Sequence, residues 1–278
     1  MNHFESTYEA PDGVKLYLQA WMPDHPKATL LLVHGLGEHS GRYSVLAENL
    51  VSIGISVFTF DGRGHGKSVP NGPDAYFDSY LSYLEDIHVL FEKAKNYQAS
   101  LPVFLYGHSM GGGFAAAYVL KYHPELSGVI LSSPAIMEDP NTPKILKSIS
   151  GLISRFFPRL KALKLDPKGI SKLKKEVQRY LDDPLVYKDA YPARTATEIF
   201  NMMKYIQEKV SEFDQPVLLL HGTSDTLTNP EGSKLLFKKS NSIDKTLRLI
   251  PGGYHELIND TDSELVLDII VNWLKEKI

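Results

Sequence analysis

Cysteine is missing from all 278 residues. Its absence excludes disulfides, thiolate nucleophiles and Cys-ligated zinc, and it fits a reducing compartment. No uninterrupted apolar run approaches the roughly 18 residues of a membrane span. The opening residues, MNHFESTYEAPDG, have neither the basic start nor the apolar stretch of a signal peptide. The expectation is a soluble, cytoplasmic chain whose only membrane contact is peripheral. Excess positive charge is lacking too: the net charge is −3, which argues against nucleic acid as the main partner. What is left is a globular composition, 43% apolar and 23% charged, which sets aside disordered and fibrous classes. The length suits one large domain or two small ones.

The charge is uneven. Between Glu138 and Tyr180 there are 11 Lys/Arg against 4 Asp/Glu, a basic stretch in an otherwise acidic chain.

Short apolar runs recur, each ended by turn residues: TLLLVHG (29–35), SVFTFDG (56–62), PVFLYGH (102–108), GVILSSP (128–134), PVLLLHG (216–222) and TLRLIPGG (246–253). They are apolar throughout rather than alternating, which predicts strands buried on both faces of a parallel sheet. Helical patterns lie between them, as in YSVLAENLVSIG with Gly54 as a C-cap, YLSYLEDIHVLFEKAKNY, and SELVLDIIVNWLKEKI at the end. Strand and helix in alternation predict an α/β, doubly wound fold. FESTYEA and GVKLYLQAWMP predict an antiparallel hairpin added at its N-terminal end.

The rhythm breaks between about 138 and 211, where no strand pattern appears. Ile145, Ile149, Leu152, Ile153, Phe156 and Phe157 share one helical face. Further helical pieces are predicted around 169–181 and 195–209. The expected organisation is a core formed by 1–137 and 212–278, with a helical insertion over 138–211. The apolar face of that insertion joins the core, forms a lid that presents apolar surface to an acyl chain, or does both.

GHSMG follows the strand pattern at 102–108 and matches G-x-S-x-G, the nucleophile elbow. Glycines 107 and 111 permit a strained turn that projects Ser109 at the C-terminal edge of the sheet. GGGFAAAY then supplies small residues for close helix packing. A serine alcohol needs a base, and the base needs an orienting acid. In this arrangement the chain order is serine, acid, histidine. Of ten histidines only His123, His221 and His255 follow Ser109. His123 sits in a helix tail, and His221 ends a strand before any plausible acid has passed. His255, in PGGYHEL, remains. The acid belongs just beyond a late strand, where HGTSDTLTNP places Asp225. Asp214 lies at the wrong edge, and Glu231 and Asp244 belong to the following helix and its exit. Two backbone N–H donors are needed for the oxyanion. Met110, next to the serine, supplies one, and Leu36 in HGLGEHSGRY is the candidate for the other.

His34, Glu38 and His39 lack the H-E-x-x-H order of a metal helix, so no metal is expected. DGRGHGKS (61–68) has Asp61 where a phosphate-binding loop needs glycine, and it reads as a structured turn.

On HGLGEHSGRY, DGRGHGKS, GHSMGG, HGTSDTLTNP and GGYHEL, in this order and spacing, the chain resembles the monoacylglycerol lipase branch of the α/β-hydrolases, a branch also described as lysophospholipase-like. The resemblance spans nearly the whole chain. It implies an eight-stranded, mostly parallel core, a helical cap, no cofactor and hydrolysis of monoacylglycerols. It maps the family's triad onto Ser109, Asp225 and His255 and its oxyanion hole onto Leu36 and Met110. The expected substrate is a single-chain lipid ester, and the basic cap is expected to touch membrane or micelle surfaces. Rival activities with the same serine are a lysophospholipase, a short-chain carboxylesterase and an acyltransferase. A rival of another kind is a non-catalytic receptor or scaffold.

Overall fold

The computed structural model describes residues 1–138 and 153–278. In chain order its strands are β1 (Asn2–Glu9), β2 (Lys15–Met22), β3 (Ala28–Val33), β4 (Ile55–Phe60), β5 (Val103–His108), β6 (Gly128–Ser132), β7 (Lys161–Leu163), β8 (Tyr191–Pro192), β9 (Val217–Gly222) and β10 (Lys245–Ile250). Eight of them form one sheet in the order β1-β2-β4-β3-β5-β6-β9-β10. The hairpin β1–β2 and the contact of β2 with β4 are antiparallel. Every other pairing in this sheet is parallel.

The unbroken apolar runs translate directly into burial. In β3, Leu31 and Val33 face one core and Leu30 and Leu32 the other. In β5, Leu105 faces the first core, while Phe104 and Tyr106 face the second. Helices cover both faces, as a parallel sheet requires. The first core receives α2 (Tyr80–Tyr97) and α3 (Met110–Tyr122). The second receives α1 (Ser44–Ser52) and, from the far end of the chain, a helix at Ser263–Lys275. Gly54 follows α1 at φ +92°, and its N–H donates to the Val51 carbonyl, the left-handed stop that glycine provides. The edge strand β10 is only partly covered, and Arg248 on it is exposed.

Between β6 and β9 the chain carries α4 (Lys174–Asp182) and α5 (Ala193–Lys209), after a helical turn at 153–156. The two remaining helices, after β9 and β10, are α6 (Pro230–Lys239) and α7 (Ser263–Lys275). Three findings here differ from the sequence expectation or extend beyond it. First, β7 and β8 form a small antiparallel ladder where no strand was expected. With three and two residues they are too short to show a periodicity, and β7 is largely exposed. Second, the helix expected around 169–181 begins only at Lys174. The Ser171 hydroxyl and Lys172 N–H bond Asp260 instead of extending a helix backwards. Third, of the expected apolar face, Ile145, Ile149 and Leu152 lie outside the described residues. Ile153 is half-buried, whereas Phe156 and Phe157 are 65% and 66% exposed. Not all of this region stands apart from the sheet. Met202 and Ile206 of α5 are fully buried in the first core, where α5 packs on α3.

Candidate active site

Ser109 occupies the junction of β5 and α3 at φ +56° and ψ −122°. A non-glycine residue held there costs on the order of 1–3 kcal/mol, so the surroundings must impose it. They do so from β6, the segment after it and α3: Ser109 N–H donates to the Ser132 carbonyl (3.0 Å), and the Ser109 carbonyl accepts from Ala135 (2.9 Å) and Gly113 (3.1 Å). The flanking glycines are needed for space. A Cβ on Gly107 would stand 2.4 Å from the Gly111 carbonyl oxygen, and one on Gly111 would stand 2.2 Å from that of Val33.

Asp225 lies in the turn after β9. Its Oδ1 accepts from the N–H groups of Leu227 (2.8 Å) and Thr228 (3.0 Å). Its Oδ2 receives Nδ1 of His255 at 2.7 Å, with the Thr228 hydroxyl 2.9 Å away. His255 follows β10 in a loop tied to β6, where the Ser133 hydroxyl donates to its carbonyl (2.8 Å). Engaging Nδ1 fixes the ring so that Nε2 is left for another partner. Ser109, His255 and Leu36 line one cavity. Burial alone would raise the Asp225 carboxyl, but His255 and the other donors hold it far below the usual range. Burial alone would lower His255, yet the Asp225 carboxylate outweighs it and the imidazole titrates above its ordinary value.

The loop after β3 carries the other half of the geometry. The Gly35 N–H donates to Glu38 Oε1 at 2.6 Å. That leaves Leu36 as the next N–H in the loop, and among the described residues it donates to no other group. Met110 is the first residue of α3, where the helix offers its N–H no carbonyl.

Sequence reasoning singled out the HGLGEHSGRY motif without assigning its charged side chains a role. Arg42 donates to both Glu256 oxygens (2.7 and 2.8 Å) and to Glu38 Oε2 (2.9 Å), and the Tyr43 hydroxyl donates to Glu38 Oε1 (2.6 Å). All four side chains are buried or nearly so. Burial alone would raise the Glu38 carboxyl, but Arg42 overrides it and holds Glu38 at about 2. The guanidinium thus ties the Leu36 loop to the residue after His255. Removing one partner from such a buried pair strands the other charge. His108 was also missed. Its ring lies 4.7 Å from that of His255, and burial together with His255 lowers it to about 4, so it is uncharged at neutral pH.

The three residues weighed as metal ligands point to separate partners. His34 Nε2 accepts from Gly62 N–H (2.9 Å), Glu38 joins Arg42, and His39 Nε2 lies 2.9 Å from Asp183 on the segment after α4. Asp61 of DGRGHGKS accepts from Ser40 and Lys67, holding that stretch as a turn.

Two cavities meet at Ser109. The smaller, about 40 Å³, is walled by Glu38, His108 and three tyrosines, Tyr180, Tyr187 and Tyr191. The larger, about 440 Å³, is lined mainly by apolar side chains, among them Leu165, Ile199, Phe200 and Met203. Leu36, Leu165 and Leu227 border both.

A serine on a strained strand-to-helix turn, at the carboxyl edge of a mostly parallel eight-stranded sheet, places the molecule among the α/β-hydrolases as a serine hydrolase. Within that class the chain belongs to the family described as serine aminopeptidase, S33, which matches residues 24–262. It is 31% identical over 271 residues to a monoacylglycerol lipase of Mycolicibacterium smegmatis, covering 97% of this chain and 96% of that one. It is also 31% identical to the mouse (Mus musculus) monoglyceride lipase, covering 96% and 89%. Among solved structures, the monoacylglycerol lipase of Paleococcus ferrophilus superposes with a TM-score of 0.82 at 35% identity, covering 94% of this chain and 99% of that one. A soluble variant of the Saccharomyces cerevisiae monoglyceride lipase, in complex with a substrate analog, gives 0.87 at 29% identity, covering 100% and 95%.

Proposed function

We propose that this enzyme hydrolyses monoacylglycerols to fatty acid and glycerol through an acyl-enzyme on Ser109. The carrying observation is the pair of unequal cavities that meet at that serine. The apolar one suits a single acyl chain, and the small one, rimmed by tyrosine and carboxylate groups together with Lys188, suits a compact polyol. The named relatives act on the same class of ester.

In this reading His255 Nε2 takes the Ser109 proton as the serine oxygen attacks the ester carbonyl. Leu36 and Met110 N–H groups hold the resulting oxyanion. One such donor contributes roughly 10²–10³ in rate in well-studied hydrolases. Collapse of the tetrahedral species breaks the bond to glycerol oxygen, and His255 returns the proton to that leaving group. Water, deprotonated by the same imidazole, then adds to the acyl-enzyme, and fatty acid departs as Ser109 regains its proton. Asp225 orients the ring and faces the imidazolium that forms.

Residues 138–211 act here as a cap over the site. Its small cavity is walled by Tyr180, Tyr187 and Tyr191 from that segment, and the Gly37 carbonyl accepts from Tyr187 N–H (2.7 Å). Exposed Phe156, Phe157 and Leu160, interspersed with Arg155, Arg159 and Lys161, form the surface that would meet a lipid interface.

A substrate panel tests the proposal. Medium- and long-chain 1-monoacylglycerols should be cleaved well above lysophosphatidylcholine and acetyl or butyryl esters. Ser109→Ala should abolish turnover with unchanged circular dichroism and Tm. Preference for lysophospholipid or short-chain esters, or ester formation dominating when an alcohol is added, overturns the assignment.

A further inference from the structure

His221 was passed over as a base because it ends β9 before the acid appears, yet the fold places it against that acid. Its Nε2 stands 3.3 Å from Asp225 Oδ2, the oxygen that receives His255, and 3.3 Å from the Thr228 hydroxyl oxygen. Its Nδ1 stands 2.7 Å from the Ser233 hydroxyl on α6. Both His221 and Ser233 are fully buried, so neither ring nitrogen can turn to water.

Only one tautomer suits these neighbours. If Nδ1 carried the proton, the bare Nε2 lone pair would face an ionised carboxylate oxygen, which is repulsive. If Nε2 carries it, the Ser233 hydroxyl donates to Nδ1 and the Nε2 proton faces Asp225 Oδ2 and Thr228 Oγ1. Every polar atom of the ring is then used, as burial demands.

Resting on the triad reading above, we propose that His221 is a positioning residue. Locked as the Nε2–H tautomer by Ser233, it turns a proton towards Asp225 Oδ2, the same oxygen that receives His255. Asp225 Oδ2 thus faces two imidazoles, one that turns over protons and one that does not. His221 keeps the carboxylate on its bearing towards His255 and takes up part of its negative charge. Other groups also act on His255: Thr228 contacts its Nδ1, His108 lies beside its ring, and Glu38 and Glu256 bear on its charge. Of these, Thr228 also contacts Asp225 Oδ2 and His221 Nε2.

Two measurements test this. Long-range ¹H–¹⁵N correlation on the folded wild-type enzyme, labelled at histidine, should show His221 as neutral Nε2–H, its signal identified by its loss in His221→Leu. Neutral Nδ1–H or imidazolium there overturns the proposal. The second measurement is the pH profile of kcat/KM. With His221→Leu, Asp225 loses a competing donor and holds the His255 imidazolium more tightly. The acid limb should rise by about half a pH unit and plateau kcat should fall roughly three- to tenfold, with KM little changed. Ser233→Ala, which only removes the lock, should move the limb the same way by less and mix the His221 tautomers. An unmoved limb in both variants, with only Tm lowered, makes His221 a packing residue and overturns the inference. Asp225→Asn run in parallel separates the failures: near-normal activity there sinks the triad reading, whereas inactivity there with an unmoved limb in the His221 variant sinks only this proposal.

Discussion

The pairing of Asp225 with His255 fixes a pH dependence whose sign can be worked out. A general base must be uncharged to accept the serine proton. Burial disfavours the imidazolium but the Asp225 carboxylate favours it more, so the His255 pKa lies above its ordinary 6.5. The neutral fraction therefore falls as pH drops through that raised value. The acid limb of kcat/KM should stand above 6.5, measured with a soluble monoacylglycerol below its critical micelle concentration. In Asp225→Asn the carboxylate is gone while burial remains, so the limb should move downwards. By analogy with the protease triad, kcat should fall on the order of 10⁴. Near-normal turnover would mean that another carboxylate orients the ring. At this scale chain order and strand ends select Ser109, Asp225 and His255 in the sequence, and the structure brings Asp225 to His255 and lines one cavity with His255 and Ser109. Glu256 and Arg42 are not selected that way, because their partners lie 214 positions apart and no local pattern announces such a pair.

Elements place these side chains by how closely they approach one another. The β5–Ser109–α3 turn works because α3 opens with glycines, and Gly111 lies against the Val33 and His34 carbonyls of β3 and its exit. In Gly111→Ala the new methyl group would stand 2.2 Å from the Val33 oxygen and 2.4 Å from the His34 oxygen, both backbone atoms. Relief requires α3 to move off the sheet, which shifts Ser109 and the Met110 N–H together. The expected outcome is a loss of about 1–3 kcal/mol or more in denaturant unfolding, with kcat reduced more than KM is raised. Unchanged stability and kcat would show that the glycine is not required. The elements with long apolar runs or sustained helical periodicity were legible: all six predicted core strands exist, as do the N-terminal hairpin and the helices at 80–97 and near both 44–52 and 263–275. The small β7–β8 ladder and the late start of α4 were not, because side-chain bonds and a few backbone contacts decide them rather than periodicity.

At the scale of the whole molecule, the described residues 153–211 are at once wall and surface. Their tyrosines close the small cavity beside Ser109, α5 is built into the core, and Phe156, Phe157 and Leu160 face outwards. If that outer patch docks on lipid, Phe156→Ser with Phe157→Ser should lower binding to anionic phosphatidylglycerol vesicles in a flotation assay by about thirtyfold or more, since each aromatic contributes on the order of 1 kcal/mol or more at an interface. Hydrolysis of a monomeric substrate should be unchanged. Equal vesicle binding by variant and wild type would remove the cap surface from the reading. The His39–Asp183 pair and the Tyr187–Gly37 hydrogen bond fasten this segment to the loop that carries Leu36.

The sequence by itself determined the doubly buried strands, the glycine-bounded serine turn and the order in which acid and histidine must follow. Each of these is written in residues a few positions apart, whose spacing and steric freedom act locally. Only the tertiary structure decided that Arg42 bridges Glu38 to Glu256, that His108 lies beside His255, that His221 reaches Asp225 and that two unequal cavities meet at Ser109. Those contacts join distant stretches of chain, and they come into being only when the strands pair in register and the loops at one edge of the sheet are brought within bonding distance.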